Sequence, residues 1–443
     1  MLSRRTPLVL LGLLAIGAAG YPGSAQESAL LDDYWAADTA SERKDVAKRI
    51  AAATHDFDRV LAEFERGPRL GDAPTGKLLR NHDIDGVRHP YMLLVPDSYD
   101  PERTYPVRVY LHGGVSRADI PARGGWWRNP DRVADDDAIA VIPAGWGRSM
   151  WWQRSQLRNM RAILAELRRT YNVDTNQVHA LGISDGGTGA WYFAFLDPTP
   201  WASFVPLIGH PAVLAAPSVA AQGQMHVANL RNRPFLAING GLDRLYPTRS
   251  VLPYVELFRD SGIEIDFVNQ ADHGHTVEWW PQEAERIDSF MLSNPRLPLP
   301  PSLVFETADA GEFGRLHWLE ISELGITADD VDMPVYERPL HDLPNSRMVG
   351  FPHPLASGRV EATAEGNTIT MRSRGVRRVR LLLSPRQFDF SAPIRVVANG
   401  SLRFEQTVAG DVAALLTYAA EDLDRSMPFG SVIEIDLGAR PSS

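Results

Sequence analysis

The five residues Gly182-Ile183-Ser184-Asp185-Gly186 hold a hydroxyl between glycines, after the apolar run VHALG and before GTGAWYFAFLD, a stretch of helical spacing. A serine hydroxyl at its ordinary pKa is a poor nucleophile. Covalent chemistry there needs a base, a group that orients the base, and donors for the oxyanion formed on attack. Glycines flanking such a turn let strand and helix approach closely while the hydroxyl projects above the sheet. Taken alone, the pattern also fits a glycine-rich turn carrying a surface serine. The buried strand before it and the helix after it favour a nucleophile.

A nucleophile on this kind of turn has its acid and then its histidine further along the chain. Asp243, in INGGLDRLYP, follows the apolar run 235–238 at the carboxyl end of a strand. Its plainer role would be to cap the next helix. Asp272 competes for the acid role but directly adjoins the histidines, too close to reach a ring nitrogen easily. His273 and His275 both follow the strand expected at 263–269. His275 is the preferred base, with His273 shaping the loop or contacting substrate. His-Gly-His is also a possible metal pair, but it has few supporting ligands nearby. The oxyanion donors are expected to be the amide of Asp185 and those of Gly114 and Val115, in the loop His112-Gly113-Gly114-Val115. His112, Gly113, Trp151, Trp152 and His273 are expected to border the substrate.

These groups must be held by a sheet. Short apolar runs, most of them ending in glycine or proline, fall at 91–96, 107–114, 138–145, 178–182, 204–209, 234–240 and 263–269, as buried strands do. Helical patterns lie between most of them, at 155–172, 187–197, 250–262 and 281–294. Alternating strands and helices predict an α/β fold with a doubly wound, mostly parallel sheet, whose ligand site gathers at the carboxyl ends of the strands. Before it, residues 28–70 carry apolar positions three and four apart, predicting a helical preface packed against the main domain. After the proline-rich stretch 294–303 come half-buried strand patterns, with Asn399-Gly400 as a hairpin turn and one helix near 412–420. The expected division is a leader at 1–25, a helical segment at 26–80, a catalytic domain at 81–297 and a β-rich domain at 298–443.

At 443 residues the chain has room for more than one core. Its net charge of −10 argues against nucleic acid or an anionic membrane surface as partner. Arg4 and Arg5, the apolar run 8–19 and the small residues 23–25 form the pattern of a cleaved secretory leader. About 12 apolar residues fall short of the roughly 20 that span a bilayer. A secreted or periplasmic location is therefore expected, with no membrane association after cleavage. Without cysteine the chain has neither disulfide nor thiolate chemistry.

The segments LLVPDSYDPERTYPVRVYLHGG, VHALGISDGGTGAWYFAF, LAINGGLDRLYP and GHTVEWWP resemble the secreted α/β-hydrolases grouped with polyhydroxybutyrate depolymerases, feruloyl esterases, carboxylesterases and prolyl-oligopeptidase-like peptidases. The likeness covers about residues 90–295. It implies Ser184 as nucleophile, Asp243 as acid and His275 as base, the last because it follows a glycine and precedes a tryptophan-containing run. Two departures stand out: there is no cysteine framework, and DHGH offers a second histidine. The tryptophans at 126–127, 146, 151–152 and 279–280 offer flat apolar walls for aromatic, sugar or polyester units, or else are core. The segment 210–233 is too short for a large lid, which favours an open cleft. The resulting expectation is a serine hydrolase that cleaves small-molecule or polymeric carboxylic esters through an acyl-enzyme and needs no cofactor. Peptide-bond cleavage and a non-catalytic polymer-binding scaffold are the alternatives. The oligomeric state is left open, and buttressing is the expected role of the β-rich tail.

Overall fold

The computed structural model describes residues 22–120, 122–325, 333 and 350–438. The expected leader through residue 21 lies outside the described residues, and helix α1 (Pro22–Ala36) already spans its expected end. Among the described residues no helix is long and apolar enough to cross a membrane.

The central sheet has the strand order β1-β2-β4-β3-β5-β6-β7-β8. Its strands are β1 (Gly76–Ile84), β2 (Val87–Val95), β3 (Tyr105–Leu111), β4 (Ile139–Pro143), β5 (Val173–Ile183), β6 (Ser203–Leu207), β7 (Phe235–Gly240) and β8 (Ile265–Gln270). β1 and β2 run antiparallel, and every neighbouring pair from β4 to β8 is parallel. Side chains alternate between two cores: Val109, Val141 and Ala237 pack on one face, Tyr110, Ile142 and Ile238 on the other. This is the period-two pleat of strands covered on both sides. Helices α4 (Arg154–Thr170), α5 (Asp185–Leu196) and α7 (Thr248–Asp260) cover the first face, and α8 (Trp280–Ser293) the second. The one-turn helix α6 (Pro217–Ala220) lies in the segment between β6 and β7. α5 buries Trp191, Tyr192, Phe193, Phe195 and Leu196 all round, so it is a core helix rather than a surface one. The arrangement is an α/β-hydrolase fold. β1 begins in the segment expected to be helical to residue 80; its positions alternate strictly between half-buried and exposed, so it has no continuous apolar run to announce it.

The β-rich tail is a separate domain. One sheet runs β10-β11-β14-β17 and the other β16-β15-β13-β12-β9. The strands are β9 (Ser302–Thr307), β10 (Arg315–Leu316), β11 (Leu319–Leu324), β12 (Gly358–Glu365), β13 (Thr368–Arg374), β14 (Val376–Leu383), β15 (Ile394–Ala398), β16 (Ser401–Gln406) and β17 (Ser431–Asp436). Phe305, Ile321, Val360, Ile369, Leu381 and Val396 from both sheets share one core around the fully buried Trp318. The β15–β16 hairpin turns at Asn399 and Gly400, with φ of 50° and 80°.

The amino-terminal helices pack where the sequence reading did not put them. α1, α2 (Ala40–Ala53) and α3 (Phe57–Arg66) bury Tyr34, Trp35, Val46, Ile50 and Phe64 against Leu415, Leu416 and Ala420 of α9 (Val412–Asp422). Tyr34 donates to the Leu416 carbonyl and Arg43 to that of Ala420, both at 2.7 Å. Their apolar faces are therefore covered by the tail's own helix, while polar contacts such as Arg169 to Asp38 reach the α/β domain.

The two domains are joined by buried polar contacts. Arg296 donates to Asn176 Oδ1, the Thr199 carbonyl, Ser426 Oγ and Asp424 Oδ2, the last at 2.6 Å with both side chains fully buried. Burial would raise the Asp424 carboxyl, but the charges of Arg296 and Arg168 outweigh it and hold the group well below the usual carboxylate range. Asn229 donates to the carbonyls of Phe195 and Glu306, and Asn232 to that of Val304. Segment 210–233 thus docks the β9 strand. Arg233 donates to His317 Nε2, so this buried ring is neutral and its Nδ1–H donates to the Pro298 carbonyl.

Two outcomes follow from this burial. Asp424→Ala strands the Arg296 guanidinium in the interface, and urea unfolding should register a loss of about 3–5 kcal/mol. Burial pushes His112 and His210 down to about 4, His179 to about 3, and His317 well below 6.5. Between about pH 4 and 6.5 the unfolded chain therefore binds more protons than the folded one. Stability present above that window is lost as pH falls through it. A urea midpoint that stays constant from pH 7 to 5 would contradict this.

Candidate active site

Strand β5 ends at Ile183 and α5 begins at Asp185, leaving Ser184 alone to make the turn at φ 58° and ψ −118°. A non-glycine residue holds that conformation only when its surroundings over-determine it. Here they do. A Cβ on Gly182 would lie 1.9 Å from the Gly186 carbonyl oxygen, and one on Gly186 would lie 2.0 Å from that of Leu111. Strand and helix touch backbone to backbone, and the Ser184 amide is fixed to the Leu207 carbonyl at 2.9 Å. The hydroxyl sits at the amino end of α5, the positive end of its dipole.

Ser184 Oγ lies 2.8 Å from His275 Nε2, and His275 Nδ1 lies 2.7 Å from Asp243 Oδ2. With Nδ1–H donating to the buried carboxylate, Nε2 is left as acceptor for the serine hydroxyl. The second Asp243 oxygen accepts the amides of Leu245 and Tyr246, both at 2.8 Å. The carboxylate is thus satisfied on both oxygens, with its side chain fully buried. Asp272 is exposed, and it is Asp243 that meets His275 Nδ1. His273 contributes its backbone, accepting the Leu242 amide and donating to the Gln270 carbonyl. Close packing of Gly240 against the carbonyls of His273 and Gly274 brings the β7 and β8 loops together.

The loop after β3 differs from the sequence reading in two respects. Gly113 touches Ser184, since a Cβ there would lie 2.9 Å from the serine Cβ, and the amides of Gly113, Gly114 and Asp185 have no hydrogen-bond partner among the described residues. The Val115 amide, expected to be a free oxyanion donor, instead donates to Asp185 Oδ2 at 2.9 Å. His112, expected beside the substrate, is a buried strut. Its Nδ1–H donates to the Gly113 carbonyl and its Nε2 accepts the Gly145 amide. Burial pushes the ring down to about 4, so it stays neutral in this role.

Trp151 is likewise core rather than cleft wall. It is fully buried, packs against Gly145 and Gly189, and donates to the His112 carbonyl at 2.7 Å. Each tryptophan doublet divides in this way: Trp126, Trp151 and Trp279 are buried, whereas Trp127, Trp152 and Trp280 are half-buried. Sequence reasoning passed over Tyr246 and His210. The Tyr246 ring meets His275 edge to face at 5.4 Å and His210 at 5.6 Å. The only trace of Tyr246 in the sequence is its place three residues after Asp243.

No protein-family profile matches the chain, and no curated protein matches it. Among solved structures it is similar to a thermostable esterase, at 21% identity and a TM-score of 0.39, over 50% of this chain and 63% of that one. The chain thus spans less than two thirds of that protein's length. It is also similar to esterase 2 of Thermogutta terrifontis phosphorylated by paraoxon, at 17% identity and a TM-score of 0.40, over 50% of this chain and 95% of that one. A ferulic acid esterase is similar at 16% identity and a TM-score of 0.40, over 50% and 98%.

The backbone contact beneath Ser184 can be tested directly. Gly186→Ala drives a methyl into the Leu111 carbonyl, and a stability loss above about 4 kcal/mol is expected in thermal melting. Gly71→Ala, with nothing within 4 Å of the added carbon, should stay within about 0.5 kcal/mol.

Proposed function

We propose that this protein is a serine hydrolase that cleaves carboxylic esters through a covalent acyl-enzyme. The observation that carries the reading is the unbroken chain of two short hydrogen bonds from Ser184 through His275 to the buried Asp243. Ser184 Oγ attacks the ester carbonyl carbon while its proton passes to His275 Nε2. Asp243 holds the ring in the tautomer able to accept it and balances the resulting imidazolium. The carbonyl oxygen, now an anion, is received by the free amides of Asp185 and Gly114. Collapse of the intermediate expels the alcohol, which takes the proton from Nε2. Water then attacks the acyl group with His275 again as base, releasing the acid and restoring the serine.

The substrate side of the proposal draws on exposure. Ser184 and His275 are half-buried, and Leu242 and Leu245, on either side of Asp243, are 65% and 68% exposed. An open, apolar-rimmed site suits bulky or polymeric esters better than a sealed pocket would. Export of the chain is proposed from its leader pattern.

Fluorophosphonate labelling and p-nitrophenyl ester hydrolysis test the mechanism together. Both should be abolished in Ser184→Ala. His275→Gln should cost about ten-thousand-fold in kcat, and His273→Gln less than about tenfold. Folded wild type that takes no label would leave the scaffold reading in its place, and turnover of aminoacyl amides alone would make it a peptidase.

A further inference from the structure

Asp185 is the second variable residue of the nucleophile turn, and its side chain reaches away from its own helix. Oδ2 accepts the Val115 amide across from the β3 loop at 2.9 Å. Oδ1 accepts the Tyr246 hydroxyl at 3.4 Å. Tyr246 in turn donates its amide to Asp243 Oδ1 at 2.8 Å and stands edge-on to the His275 ring, with an interplanar angle of 80°. Burial and then the Asp185 charge push the Tyr246 hydroxyl up to about 12, so it remains a donor.

We propose that Asp185 and Tyr246 are positioning residues that lock the oxyanion loop, the nucleophile turn and the acid–histidine pair into one frame. The inference rests on the reading of Ser184 as nucleophile. The physical need for such a lock lies in the loop itself. Gly113 and Gly114 have no side chains to hold them, and Gly114 is at φ 69°, so the direction of their amides depends on the His112 bond to the Gly113 carbonyl and on what anchors the next residue. Val115 is that residue. Its side chain is fully buried, and its amide is held by a charge-assisted bond to the residue directly after the nucleophile. Donors and nucleophile are thereby referred to the same turn of α5. Tyr246 extends the reference to the far side of the site, because one residue touches both the carboxylate that orients His275 and the carboxylate that orients the oxyanion loop. The Asp185 charge also lies at the helix amino terminus, where the dipole favours it. It therefore serves as anchor without opposing the fold.

The prediction separates positioning from mere stability. Asp185→Ala should lower kcat for a p-nitrophenyl ester about a hundredfold with KM within about twofold, because misdirected amides fail only when the oxyanion forms. The rate constant of fluorophosphonate labelling should fall in parallel, since the phosphonyl oxygen uses the same donors. Asp185→Asn keeps an acceptor for Val115 and should recover kcat to within about tenfold of wild type. Tyr246→Phe, which keeps the ring and the amide, should cost a few-fold. The double variant Asp185→Ala/Tyr246→Phe should be no slower than Asp185→Ala alone, as members of one unit are non-additive. Unchanged kcat and labelling in Asp185→Ala, a change confined to KM, or no recovery by Asp185→Asn would overturn the brace. If Asp185→Ala does not fold, the Asn and Phe variants carry the test: additive losses in their combination overturn it, and sub-additive ones support it. Wild type that takes no label would overturn the nucleophile reading and the brace together, whereas labelling that is equally fast in wild type and the Asp185 variants overturns the brace alone.

Discussion

The α/β domain is arranged around a place where no side chain fits. At Gly182 and Gly186 strand β5 and helix α5 meet at backbone contact distance, so the one residue between them must turn with positive φ. Sheet and helix, both packed through large apolar faces, supply the force that keeps Ser184 there. The strain is local, and the cores that bear it, with Val109 and Leu111 on one side and Leu181 and Leu207 on the other, are extensive. The placement of these two elements sets the 2.8 Å approach of the hydroxyl to His275 Nε2.

The rest of the site converges on that fixed point from three loops, each secured by polar atoms rather than by packing alone. The β7 loop is tied by two amides to Asp243, the β8 loop by its backbone contacts to Gly240, and the β3 loop by His112 and Asp185. Hydrogen bonds suit this task because their directionality sets orientation as well as distance. Part of this network depends on a neutral His112 and a filled Asp243 carboxylate, and burial is what keeps the His112 ring uncharged.

The tail is joined to the α/β domain by a different logic. Arg296 and Asp424 are fully out of water, yet each finds several partners, so the interface is specific where an apolar one would be forgiving. The segment 210–233 gives the side chains of Asn229 and Asn232 to the edge of β9. The amino-terminal helices cover α9, with which they share one core.

Periodicity and punctuation made the sheet, its helices, the hairpin at Asn399-Gly400 and the order serine, aspartate, histidine legible in the sequence, because each is imposed by local backbone geometry or by burial of a contiguous face. What stayed hidden depends on partners far apart in the chain. The edge strand β1 pairs with its neighbour without an apolar run. The two tryptophans of a doublet differ only in which of them faces the core, and the helical preface shows an apolar face but not what covers it. The Val115 amide is no different from any other until Asp185, 70 residues away, takes it, and Tyr246 carries no motif at all. Residue type and spacing thus determined which groups were available for chemistry. Tertiary packing alone decided which of them are free to act and which are already bonded, because a hydrogen bond made across the fold leaves no mark on the sequence at either end.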